Sequence, residues 1–289
     1  MSVITILCML AIVLSITVFM VWASACIRSG VYVRAFCREK TDRKVVYLTF
    51  DDGPHPPETE RVLDVLREHG ARATFFLIGS KVSGNEAVLR RMLEEGHALG
   101  LHTYSHAGTF PLLSFDKMLA DVNEGKRAVE SVAGKKISLF RPPFGVTNPT
   151  ISKVVRTLGL HTVGWDVRSF DTMFCKSSEH SCKQSGYSCK QSEHSCKQSV
   201  YSFKQSEHSC KQSGHSCKQS GHDWYLPVVE RIMKQVRPGS VILLHDRLDG
   251  ASELLALLLD SLAASGYDFT TALPNTLTSS SDSSETNLS

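Results

Sequence analysis

Cysteine is scarce where a folded domain would need it. The 289-residue chain holds nine, but six of them (Cys175, Cys182, Cys189, Cys196, Cys210 and Cys217) share one phase of a tandem repeat. Cys8 and Cys26 lie in an apolar N-terminal stretch, which leaves only Cys37. A disulfide-stapled scaffold is thereby excluded, and cysteine usage carries no information on redox compartment. Charge of one sign is also missing. The net charge is +3, and the repeat region 178–219 accounts for it with six Lys against three Glu. Such balance argues for no particular polyanionic partner, and no nucleic acid is expected. Finally, no Lys or Arg precedes the N-terminal apolar run, and Ser2 to Ile27 carries no charge at all.

Those 26 residues would span about 39 Å as a helix, enough to cross a bilayer. Residues 2–27 are therefore read as a single-pass transmembrane anchor. A cleaved signal peptide is the competing reading. It gains from the small residues Ala23-Ser24-Ala25 and loses from the run's length and its missing basic start. Cys26 directly after them also admits a lipid-modified cysteine. The flank that follows has Arg28, Arg34, Arg38, Lys40, Arg43 and Lys44 against Glu39 and Asp42. By the positive-inside rule that flank belongs in the cytoplasm.

From Lys44 onward, short apolar runs alternate with helical patterns. Strands are expected at Val45–Phe50, Thr74–Ile78, Ala98–His102, Ile137–Phe140, Thr162–Trp165, Val241–Leu244 and Phe269–Leu273. Helices are expected at Pro57–His69, Asn85–Glu95, Phe115–Val132, Pro149–Leu158, Leu226–Val236 and Glu253–Ala264. Gly70, Gly96, Gly134, Gly159 and Gly266 stand just past five of them, where a left-handed cap suits glycine. Repeated strand–helix alternation implies an α/β fold with a parallel sheet, open or closed into a (β/α) barrel of about seven strands. The domain is expected to span 44–273, and the polar tail 274–289 to be disordered.

One segment breaks the rhythm. Residues 178–219 are six near-identical heptads of the type SEHSCKQ, within a low-complexity insertion at 175–222. Each heptad has one or two apolar or aromatic residues among Ser, Gly and Gln, too few for a coiled-coil seam. The insertion is read as a disordered loop. A metal trap built from its Cys and from His180, His194, His208 and His215 lacks a recognised finger spacing.

Polar clusters follow the strands. They are Asp51-Asp52-Gly53-Pro54, His102-Thr103-Tyr104-Ser105-His106, Arg141-Pro142-Pro143-Phe144-Gly145, Trp165-Asp166-Val167-Arg168-Ser169-Phe170-Asp171 and Leu244-His245-Asp246. In parallel α/β folds the carboxyl ends of strands gather on one face, and sites form there. His102 and His106 are four apart, so on a helical turn both rings would share a side. A carboxylate from another strand end would complete a three-ligand metal site. Adjacent Asp51 and Asp52 would point different ways along an extended strand and divide two roles.

The ordered set of five motifs resembles the polysaccharide deacetylases, carbohydrate esterase family four, over about Lys44 to Leu273. That resemblance implies a distorted (β/α) barrel with fewer than eight strands and a hydrolase acting on acetylated glycan. It implies one divalent metal, zinc first, on Asp52, His102 and His106. It makes Asp51 the general base, His245 the general acid and Arg141 the partner of Asp51. Phe144 supplies an oxyanion-binding N–H, and Trp165 and Leu244 wall the acetyl pocket. This chain departs from the family at Arg168, where an aspartate is common, so Asp166 and Asp171 both remain candidates to tether His245. Envelope glycans as family substrates place the domain outside the cytoplasm, against the basic flank. No protein partner is expected. A catalytically impaired carbohydrate-binding module and a repeat-driven adhesive protein are the alternative readings.

Overall fold

A computed structural model of the chain describes residues 2–173 and 225–273. The repeat insertion and the polar tail lie outside the described residues. Helix α1 (Val3–Ala25) is followed by strand β1 (Ala35–Phe36). The alternating domain then runs β2 (Val46–Gly53), α2 (Glu58–Glu68), β3 (Ala73–Leu77), α3 (Glu86–Glu94), β4 (Ala98–Leu101), α4 (Phe115–Ala133), β5 (Leu139–Phe140) and α5 (Pro149–Thr157). It continues with β6 (His161–Val163) and β7 (Val167–Arg168), then α6 (Tyr225–Gln235), β8 (Ser240–His245) and α7 (Ala251–Ala264).

Local chemistry sets these limits. Asn148 caps α5 by accepting the Ile151 N–H at 2.7 Å, and Pro149 occupies the first turn, where no donor is lost. Gly134 closes α4 at φ 63°, a left-handed cap conformation that costs glycine little. Strand β2 is buried along its whole length because helices cover one face and the barrel interior the other.

All ladders are parallel, in the order β1-β6-β5-β4-β3-β2-β8-β7. Among the described residues the sheet has eight strands, where about seven were expected. The two that sequence reading missed, β1 and β7, are two residues each, too short to show a period. The expected strand Phe269–Leu273 is instead an irregular strap. Its neighbour Asp268 bridges Val45, Phe269 O accepts from Arg72 N, and Leu273 N donates to Thr74 Oγ1. The strap spends its polar groups on loop ends at the amino end of the sheet, so no ladder is left to form. Where the sheet edges approach, one antiparallel bridge (Arg38 with Ser240) and the Asp166 carboxylate replace a ladder. Asp166 accepts from Ser240 Oγ and Val241 N, both at 2.9 Å. The barrel is thus distorted and joined by single contacts.

A large apolar layer, including Leu48, Phe50, Leu63, Leu66, Phe75 and Leu258, fills the space between sheet and helices. The interior cluster is small: Val45, Tyr47, Phe76, Leu139, Val163, Val241 and Leu273. Arg141 sits among them with no solvent exposure. Its guanidinium lies 4.1 Å from the Phe76 ring centroid and donates to Val163 O, Gly164 O, Thr49 Oγ1 and Asp51 Oδ1. A buried cation is tolerable only when its donors are met in this way.

Candidate active site

The carboxyl end of β2 does not continue as a regular strand. Asp51 pairs with Phe76 and Gly53 with Leu77, so Asp52 is an extra residue in a bulge, at φ 72°. The bulge reverses the expectation from strand alternation. Both carboxylates reach the same imidazole: His102 Nε2 is 4.0 Å from Asp51 Oδ2 and 3.7 Å from Asp52 Oδ1. Beneath the bulge, Asp246 is fully buried and accepts from Thr59 Oγ1 at 2.7 Å. Burial pushes its pKa up to about 6. Gly53 is required there, because a Cβ would stand 2.5 Å from Asp246 Oδ2.

His102 and His106 meet without a helical turn. The segment after β4 is irregular, with left-handed Thr103 (φ 64°) and His106 (φ 47°). Thr103 Oγ1 accepts the His106 N–H at 3.0 Å, and Asp121 accepts from Tyr104 N and Ser105 N. The ring centroids end 4.8 Å apart. His102 Nδ1 lies 2.7 Å from Arg141 O. A carbonyl can only accept, so Nδ1 carries the proton and Nε2 keeps its lone pair for a ligand. His106 Nε2 is 3.3 Å from Asp52 Oδ1. Burial, then the neighbouring His102, lowers the His106 pKa, which favours the neutral ring. For Asp52 burial acts upward, but His102, His245, His106 and the Arg247 hydrogen bond together hold the carboxyl below its ordinary range.

Across the site, β8 delivers His245 in register with Asp51. Asp171 clamps it twice, taking the His245 amide on Oδ2 at 2.9 Å and lying 2.8 Å from the ring Nδ1 with Oδ1. Burial disfavours the imidazolium, yet Asp171, with Asp51 and Asp52 behind it, raises the His245 pKa above its ordinary value. The two candidate tethers are thereby separated: Asp171 holds the histidine, and Asp166 joins the sheet edges.

Asp51, Asp52, His102, His106, Arg141 and His245 converge in one place. Phe144, at φ 61°, borders them with its exposed ring, 5.3 Å from that of His106. Trp165 packs where a Cβ on Gly145 would be 2.5 Å from its ring, and its face is 5.5 Å from the Arg141 guanidinium. Leu244 does not join them. It belongs to the sheet–helix layer, since alternation along β8 sends it away from the face that His245 and Val241 share. Leu243, by contrast, falls on the face that His245 and Val241 share, as strand parity counted back from His245 gives. Sequence reading also missed Arg247, whose Nε donates to Asp52 Oδ2 at 2.7 Å, and Lys81, whose Nζ donates to Asp52 O at 2.7 Å. Neither stands in a motif that announces it.

Asp52, His102 and His106 form a candidate metal group, with one ligand atom from each lying within 4.8 Å of the others. Two imidazole nitrogens and one carboxylate oxygen are a catalytic zinc donor set.

Comparisons with known proteins agree with this architecture. A sequence profile described as polysaccharide deacetylase matches residues 38–163. The peptidoglycan-N-acetylglucosamine deacetylase of Bacillus cereus is 30% identical over 237 residues, covering 80% of this chain and 87% of its own. A solved polysaccharide deacetylase from Bacillus cereus superposes with a TM-score of 0.60 at 25% identity, over 80% of this chain and 93% of that one. A Bacillus anthracis pseudoenzyme of carbohydrate esterase family four matches with a TM-score of 0.58 at 20% identity, over 81% and 66%, a likeness of fold alone.

Proposed function

The chain belongs to the polysaccharide deacetylase family, carbohydrate esterase family four, and on that premise we propose that it removes N-acetyl groups from an envelope glycan of the peptidoglycan type. The observation that carries the reading is the convergence of Asp51 with Arg141 and His245 with Asp171 on either side of the Asp52–His102–His106 group. That donor set fits a divalent ion, zinc first: the His102 tautomer leaves Nε2 free, and burial favours the neutral form of His106. When bound, the ion supplies Lewis acidity for the acetyl carbonyl and a lowered pKa for water.

The protein's own residues divide the proton work. Asp51 Oδ1 is held by Arg141 at 2.7 Å, so Oδ2 is the oxygen that takes a proton from the attacking water. His245 faces Asp171 with Nδ1, so Nε2 is the nitrogen that protonates the leaving amine as the C–N bond breaks. The raised His245 pKa keeps more of it in the acid form near neutrality. The Phe144 N–H is the oxyanion donor expected of this loop. Trp165 and Leu243 are the apolar surfaces offered to the acetyl methyl. The intact proton-transfer pairs favour an enzyme over a carbohydrate-binding module without activity. An envelope substrate places the domain outside the cytoplasm, against the basic flank after α1, and protease accessibility on spheroplasts decides the side.

The test is acetate release from a panel of peptidoglycan, chito-oligosaccharide, poly-N-acetylglucosamine and acetylated xylan, with Asp51→Asn as control. Release from an N-acetylated glycan, and its loss in the variant, is expected. No release from any of them by metal-loaded protein would falsify the reading.

A further inference from the structure

The apolar helix is built into the catalytic domain beside the mouth of the site. Residues 3–22 of α1 are exposed on all sides, but Ala23 is fully buried and Ile27 nearly so. Thr147, itself buried, donates its N–H to Ser24 O at 2.9 Å and its hydroxyl to Ala23 O at 3.3 Å. Ser29 Oγ donates to the same Ala23 carbonyl at 2.9 Å. These are carbonyls that the last turn of a helix leaves without intrahelical partners, so the catalytic domain caps α1. Ile27 lies against Gly164, where a Cβ would be 3.1 Å from Ile27 Cγ2. Gly164 O in turn accepts from Arg141, the residue that holds Asp51.

Thr147 stands three residues past Phe144, whose ring packs on His106. Contacts and a short tether therefore link the end of α1 to both sides of the site. Trp22 and exposed Arg28 bracket the docked residues, and an aromatic and a basic residue at a helix end mark a headgroup region. The next loop is tied to the same place, because Asn148 Nδ2 donates to Pro111 O at 2.7 Å. That loop presents Leu112, 85% exposed.

We propose that α1 stays attached and holds the catalytic mouth against the bilayer surface, with the rim of Phe144 and Leu112 at headgroup level. The enzyme then takes glycan lying at the membrane surface, and distal glycan is out of its reach. The substrate half of this statement rests on the deacetylase reading; the docking of the mouth does not.

The test uses the full chain in nanodiscs containing lipid spin-labelled at the headgroup. A fluorescent unnatural amino acid replaces Leu112 in one protein and Lys135 in another. Lys135 precedes β5 at the opposite, amino end of the sheet. Quenching severalfold stronger at 112 than at 135 is expected. Equal quenching, or stronger quenching at 135, overturns the proposal, as does an intact mass that begins at Cys26. A protein that shows the contrast but releases no acetate leaves the docking standing and removes the deacetylase reading. An active enzyme without the contrast does the reverse.

Discussion

The two histidine-bearing walls of the site are made in different ways. On one side His245 simply continues β8, opposite Asp51 in the ladder, and needs only the Asp171 clamp to fix its ring. On the other, Asp52, Thr103, His106 and Phe144 all have positive φ without being glycine, against one such residue, Phe170 beside Asp171, on the His245 side. Each such residue costs of order 1 kcal/mol or more, and the surrounding structure must over-determine it. Ladder register therefore places His245, the proposed proton donor, while positive-φ loops place the candidate metal group. A regular strand can aim one side chain, whereas three ligands converging on one point require the backbone to leave the strand.

The first way to break the comparison is at Asp51, which both walls share. Asp51→Asn should lower acetate release by about 10²–10⁴-fold while retaining about one metal per chain, checked by kinetics and metal analysis. Asp51→Ala should additionally lower unfolding free energy by about 3–5 kcal/mol, since it removes the carboxylate from the buried Arg141 charge. Denaturant melts check that arm.

The strand wall alone is tested by Asp171→Asn, expected to cost about 10²-fold in kcat. Asp171 contributes to the raised His245 pKa, and the acid must be protonated to act. The variant's alkaline limb should therefore move to lower pH in a pH–rate profile. Because the folded pKa is raised, the pair's stabilisation is full below about pH 6.5 and is lost as pH rises through the folded value.

On the loop wall, Arg247→Gln should weaken metal affinity by about 10-fold, read by chelator competition, with the metal-free melting temperature unchanged. Arg247 holds Asp52 Oδ2 and leaves Oδ1 toward the imidazoles. The smallest effect belongs to the repeats. Deleting 178–219 should change acetate release by no more than about twofold, because Asp171 and His245 both lie outside the deleted residues. A larger loss would tie the repeats to the site.

Much of the site was legible before the fold was known, because each motif stands directly after an apolar run and carries its own chemistry. Helix limits were legible for a similar reason: Gly134, Asn148 and Pro149 act through local geometry. Strands β1 and β7 were not legible, since each is two residues long without the apolar run that marked the equally short β5. The strap at Phe269–Leu273 reads as a strand because apolar composition cannot say which backbone partners are free.

By itself the sequence determined the parallel α/β alternation, the glycine-capped helices and the set of carboxylates, imidazoles and guanidinium at strand ends. These depend on periodicity and residue type, which are local. Only the tertiary structure decided that a bulge turns Asp51 and Asp52 to one side, that Asp171 and not Asp166 holds His245, and that Arg247 holds Asp52. Each of those joins residues distant in the chain or depends on ladder register, and spacing along a chain does not specify either. The same holds for α1: its apolar run makes it long enough to cross a bilayer, but where it docks depends on Thr147, more than a hundred residues away.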